Sequence, residues 1–165
     1  EVVANGLPLW GGAQLVVDTT MVSPVRRNGA PQPRAAEVDG AQLQEARRRK
    51  ERKYAELVQS RRCRLVVLGL EVGGGWSDEA LSFITQLARA KARTYPRLLQ
   101  ASAQMAFTSR WVGLLAVAAH RALAATLLEL PVEESAADGE APLLEDVLHG
   151  ARLAEVPIPS RLPLR

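Results

Sequence analysis

A single cysteine, Cys63, leaves the chain with no disulfide framework and no cysteine-based zinc site, which suits a reducing compartment. Aromatic residues make up only 4% of the chain, so its core must be built from Leu, Val and Ala. Only two histidines are present, and His120, near the packing face of a long apolar stretch, reads as structural or surface rather than as a ligand. No uninterrupted apolar run reaches transmembrane length, and the opening Glu-Val-Val-Ala-Asn-Gly is not a signal peptide. These absences point to an intracellular protein, nuclear or cytoplasmic. The chain starts on Glu1 rather than methionine and reads as a piece of something longer.

Apolar content of 47% argues against wholesale disorder, and 165 residues suffice for one modest domain and a tail. The net charge of +3 says little, but its distribution says more. Lys and Arg concentrate between Arg47 and Arg64, whereas the segment after Pro131 is acidic. A basic stripe suits a polyanion such as DNA or RNA, or it is simply a solvated helix face.

The stretch from Asp39 to Leu57 reads as one amphipathic helix, with Leu43, Ala46, Tyr54, Leu57 and Val58 at helical spacing and Asp39 placed to cap it. At about 100° per residue, Lys50 falls inside that apolar stripe, Lys53 at its edge, and Arg48, Arg49 and Arg52 away from it. A lysine on the core side either snorkels to the rim or meets a buried acid, because an unpaired buried charge is costly. Two acids flank the helix on apolar, β-branched runs. Asp18 lies within the strand candidate 13–22, and Glu71 closes the strand candidate 62–70. Two acids and a lysine converging at one edge of a sheet would make a metal-dependent hydrolase site.

The rest of the chain supplies the frame. Residues 1–4 form a short strand candidate before the Asn5-Gly6 turn, and the Pro- and Gly-containing segment 23–36 reads as a loose loop. Gly73, Gly74 and Gly75 form a flexible turn and only a weak phosphate-loop candidate. Ser77, followed by Asp78 and Glu79, starts a helix that runs to about Thr94, with Ala88 on its buried face. An Ala-rich helix from about Phe107 ends at Pro131. The expected core comprises Leu15, Val17, Leu65, Val67, Leu57, Leu81, Ile84, Leu87, Trp111, Leu115 and Ala118. The expected fold is α/β: a small mixed sheet with flanking helices over 1–130, ending in a long C-terminal helix, then an acidic, Pro-rich flexible tail over 131–165.

Three segments in order carry a resemblance: Asp18-Thr-Thr-Met-Val-Ser-Pro24, Lys50-Glu-Arg-Lys-Tyr54, and Leu68-Gly-Leu-Glu71-Val-Gly-Gly-Gly-Trp-Ser77. Together they resemble the restriction-endonuclease-like region that follows the reverse transcriptase in non-LTR retrotransposon polyproteins, over roughly residues 1–130. The resemblance implies a restriction-endonuclease-like fold that nicks DNA phosphodiesters, with the remainder of the polyprotein as a partner. It implies that Asp18 and Glu71 hold Mg²⁺ and that Lys50 and Lys53 act in catalysis, while Arg47, Arg48, Arg49 and Arg52 grip nucleic-acid phosphates. The chain departs from the family at its Pro-Asp step, where the nearest acid is Glu1, and it lacks a Glu-x-Lys strand motif. The alternatives are a catalytically dead retroelement remnant that still binds nucleic acid, or an unrelated α/β interaction module.

Overall fold

The computed structural model describes residues 2–60 and 62–129. It divides into two compact units, one through Gln86 and one from Leu87 onward. The expected tail boundary at Pro131 lies outside the described residues.

The first unit is built on a three-stranded mixed sheet in the order β1-β2-β3, with β1 at Val2–Ala4, β2 at Gln14–Val22 and β3 at Cys63–Glu71. β1 pairs antiparallel with β2, and β2 pairs parallel with β3, Val16 opposite Leu65 and Asp18 opposite Val67. A parallel pair needs a crossover, and the segment between β2 and β3 supplies it with helices α1 (Ala41–Lys53) and α2 (Ala55–Gln59). β3 is buried almost throughout, which explains its unbroken apolar run.

One face of the sheet gathers Val16, Leu65 and Val67, with Tyr54, Leu57 and Cys63 packed against them. Gly69 lies on the same face, where an added Cβ would come within 2.9 Å of Leu43 Cδ2 and 3.3 Å of Ser77, so α1 crosses at the closest approach a glycine permits. The other face carries Leu15 and Val66, both essentially inaccessible. Above it Arg64 lies over the Trp10 ring, which stacks on Phe83 of α3 (Asp78–Ala92) at 6.1 Å between centroids. Ser77 caps α3, its Oγ accepting from the Ala80 amide at 3.2 Å.

The second unit is helical. α4 (Gln100–Leu127) buries Ala103, Ala106 and Phe107 with Ala88 and Ala92 of α3. Small side chains allow the backbones to approach closely, and Phe107 fills the joint against Tyr95 and Trp111 at 5.8 and 5.3 Å between ring centroids.

The helices differ from the sequence expectation in their continuity, caps and buried faces. The basic helix is not continuous: at Tyr54 the backbone leaves helical geometry (φ −113°, ψ 39°), separating α1 from α2. Its N-cap is Gly40, in left-handed conformation, not Asp39, and no side-chain cap bond forms. The inner face of α3 holds Ala80, Phe83, Ile84, Ala88 and Ala92, while Leu81 is exposed and Leu87 only partly covered. On α4 the core lies in the first turns. Leu115 and Ala118 are exposed, and Trp111 is half-buried. Leu15, Leu65, Val67 and Ile84 are buried as expected, with Val17 and Leu57 partly so. Among the described residues no helix is long and apolar enough to cross a membrane.

Candidate functional site

Asp18 is the one buried charged residue among the described residues, 6% exposed in the middle of β2. Its register with Val67 turns it toward α1, whose inner face presents Lys50. Lys50 Nζ meets Asp18 Oδ2 at 2.7 Å. The apolar stripe thus holds a lysine because the strand beneath offers an acid, so the buried-partner alternative is the one realised.

The break at Tyr54 completes the cluster. Tyr54 leaves the helix and directs its hydroxyl at Asp18, while the Thr19 backbone amide also donates to the carboxylate. Lys53 Nζ donates to Tyr54 Oη at 2.8 Å and sits 4.7 Å from the ring centroid. Lys53, Tyr54, Asp18 and Lys50 therefore form one polar chain from solvent to the sheet, closed at its inner end by the Asp18–Lys50 ion pair. Burial by itself pushes the Asp18 carboxyl up. The Lys50 ammonium, the Tyr54 hydroxyl and the Thr19 amide together outweigh it and hold the group below the usual carboxylate range.

Glu71 is not brought to this cluster. It pairs with Val22, four residues further along β3 than Val67, the partner of Asp18. At about 3.3 Å per residue this is about 13 Å along the strand. Its side chain folds over the glycine turn instead, with Oε2 3.2 Å from where a Gly75 Cβ would stand. That turn is closed by the Glu71 amide donating to the Gly75 carbonyl at 2.7 Å, and Gly73 and Gly74 adopt φ of +120° and +104°, which side chains disfavour.

Mg²⁺ takes hard oxygen ligands, commonly from one or two carboxylates beside substrate phosphates. Here Asp18 Oδ2 faces Lys50 Nζ at 2.7 Å as an ion pair but makes no directed hydrogen bond, and the strand register sets Glu71 four residues further along the sheet, so one carboxylate rather than a pair stands at this spot. Among the described residues no group of three or more His, Cys, Asp or Glu could hold a metal. As placed, Asp18 and Glu71 do not converge as the ion-holding pair the resemblance implies. Glu1 lies outside the described residues.

The cations of α1 separate into two sets. Lys50 is pinned to Asp18, and Arg47 is drawn sideways to Glu79 at 2.6 Å and Glu51 at 3.2 Å, half-buried, so neither reaches the outer face. Arg48, Arg49 and Arg52 stand exposed on that face. Glu45 sits among them, 3.8 Å from Arg48 and 3.4 Å from Arg52, and Arg49 has no ion-pair partner among the described residues. His120 is exposed on α4, with Nδ1 2.8 Å from the Ala116 carbonyl of its own helix. Sequence reasoning missed the role of Tyr54 as the hinge of the cluster. Its signal was present in the adjacency of Lys53 and Tyr54 at the end of the basic run.

No protein-family model, curated protein or solved structure matches this chain.

Proposed function

We propose that this chain is a nucleic-acid-binding domain that grips phosphates along the outer face of α1 with Arg48, Arg49 and Arg52. The sorting of the α1 cations carries this reading. The inner lysine is neutralised by a buried acid and fixes the helix on the sheet, and three guanidiniums are left on the solvent side with one carboxylate between them. Exposed arginines on a rigid helix suit sequence-independent contacts to a phosphate backbone. The order of the Asp18, Lys50–Tyr54 and Glu71–Ser77 segments further supports a restriction-endonuclease-like region of a non-LTR retrotransposon polyprotein. Its place of action would then be nuclear or cytoplasmic, beside the rest of that polyprotein. In this reading the Asp18–Lys50 pair is a structural strut, and the domain contributes binding rather than turnover.

The adjacency of a buried acid and a lysine also favours a second reading, a DNA-nicking phosphodiesterase. A plasmid-nicking assay with Mg²⁺ or Mn²⁺, run beside DNA binding on the same protein, separates the two. Binding without nicking supports the first. Nicking that Asp18→Asn removes, with binding kept, supports the second. Failure to bind DNA at all overturns both.

A further inference from the structure

We infer that the cleft between residues 32–34 and the first turns of α1 seats one nucleotide of a single-stranded nucleic acid, its phosphate on arginines and its base edge on glutamine amides. This rests on the nucleic-acid reading above and names where an unpaired base would go.

The cleft has a volume of about 400 Å³, and its polar lining is Gln32, Arg34, Gln42, Gln44, Arg48 and Arg49 together with the carboxylate of Glu45. That size suits a single small ligand rather than a paired helix, since ligand pockets run from about 300 to 1,000 Å³. Three guanidiniums face one carboxylate, Glu45, which Arg48 and Arg52 already engage. Arg34 and Arg49 take part in none of the ion pairs among the described residues, which leaves their charge for a phosphate. Each glutamine amide pairs donors with an acceptor, the pattern that reads a splayed base on its edge. Gln42 Nε2 donates to the Pro33 carbonyl at 3.0 Å, which ties the loop to the helix and leaves Gln32 and Gln44 for the ligand.

The loop is also held in a conformation its sequence does not favour. Arg34 has φ of +62°, in the left-handed region where glycine is usual. Its carbonyl accepts from the Glu37 and Val38 amides at 3.1 and 2.9 Å, and the Ala35 amide donates to the Gln32 carbonyl at 3.0 Å, so the strain is fixed in place. Strained non-glycine residues persist where the surroundings over-determine them, often at ligand clamps. A fold indifferent to this side chain would be served better by glycine.

The variant Arg34→Gly separates fold from function, because it relieves the backbone while removing the guanidinium. With the full chain, fluorescence anisotropy would compare a short mixed-sequence single strand with the same sequence as a duplex. The expected result is single-strand affinity about tenfold weaker in Arg34→Gly, duplex affinity nearly unchanged, and no loss of melting temperature. NMR titration with a 5′-phosphorylated thymidine dinucleotide should shift the side-chain amide resonances of Gln32 and Gln44. Single-strand binding that is equal in wild type and Arg34→Gly, with those amides silent, overturns the cleft and leaves the α1 reading standing. Absence of any strand or duplex binding overturns the α1 reading on which the cleft rests.

Discussion

Replacing Lys50 by methionine removes the ammonium from Asp18 while keeping the stem that lies along the apolar stripe. Breaking a fully buried ion pair from one side costs about 3–5 kcal/mol, because the remaining charge is stranded. The Lys50 side chain is 24% exposed, and Tyr54 and Thr19 still donate to the carboxylate. A loss of about 2–3 kcal/mol near neutrality is therefore expected, the range for a hydrogen bond to a charged group. The pH dependence follows from the same contacts. Folding holds the wild-type carboxyl below its ordinary value of 3.8, so the pair's contribution is complete above that value and fades as pH falls through the folded one. In Lys50→Met the stranded carboxylate escapes its burial by taking a proton, so the gap between wild type and variant narrows at about pH 3. Urea unfolding followed by circular dichroism at both conditions measures this. Asp18→Asn and the double variant complete a cycle whose coupling should reach about 2 kcal/mol, within the range for residues in contact. Lys50→Met unfolding within about 0.5 kcal/mol of wild type at both pH values, the scatter of ordinary surface changes, would refute the reasoning.

Gly69→Ala should destabilise the first unit by about 1–3 kcal/mol, since the new methyl meets Leu43 Cδ2 at 2.9 Å in a packed layer; thermal unfolding reads it, and an unchanged midpoint would show that α1 shifts freely. Phe107→Ala should cost about 3–5 kcal/mol because the ring is 1% exposed. Leu115→Ala, at a site 37% exposed, should cost under about 1 kcal/mol by the loss of partly buried methylenes. Equal losses at the two positions would mean the second half of α4 is packed after all.

The strands were readable because β-branched, apolar runs need no tertiary context: 13–22 and 62–70 were expected, and Gln14–Val22 and Cys63–Glu71 are observed. Helical spacing also placed Lys50 on the inner side of α1, where it meets Asp18. The break at Tyr54 was not readable as a break, because no Pro or Gly stands there; the Lys53-Tyr54 pair marked the position without showing that the helix ends at it. The α3 and α4 faces were misassigned in part. Hydrophobic size pointed to Leu81, Leu87 and Leu115, whereas close packing selected Ala92, Ala103 and Ala106 beside the expected Ala88. The register of β2 with β3, which separates Glu71 from Asp18, is set by chain pairing that a motif order does not encode.

The central claim is that the outer guanidiniums of α1 bind nucleic-acid phosphates. The most direct test is a salt titration of DNA binding for the wild type and the double variant Arg48→Ala, Arg52→Ala. In a plot of log affinity against log salt, each arginine–phosphate pairing removed should lower the slope by about one unit, so the double variant should fall by about two. Arg47→Ala, whose guanidinium is held by Glu79 and Glu51, should leave the slope unchanged. Absent binding, salt-insensitive binding, or equal slopes in wild type and the Arg48→Ala, Arg52→Ala variant would contradict the account.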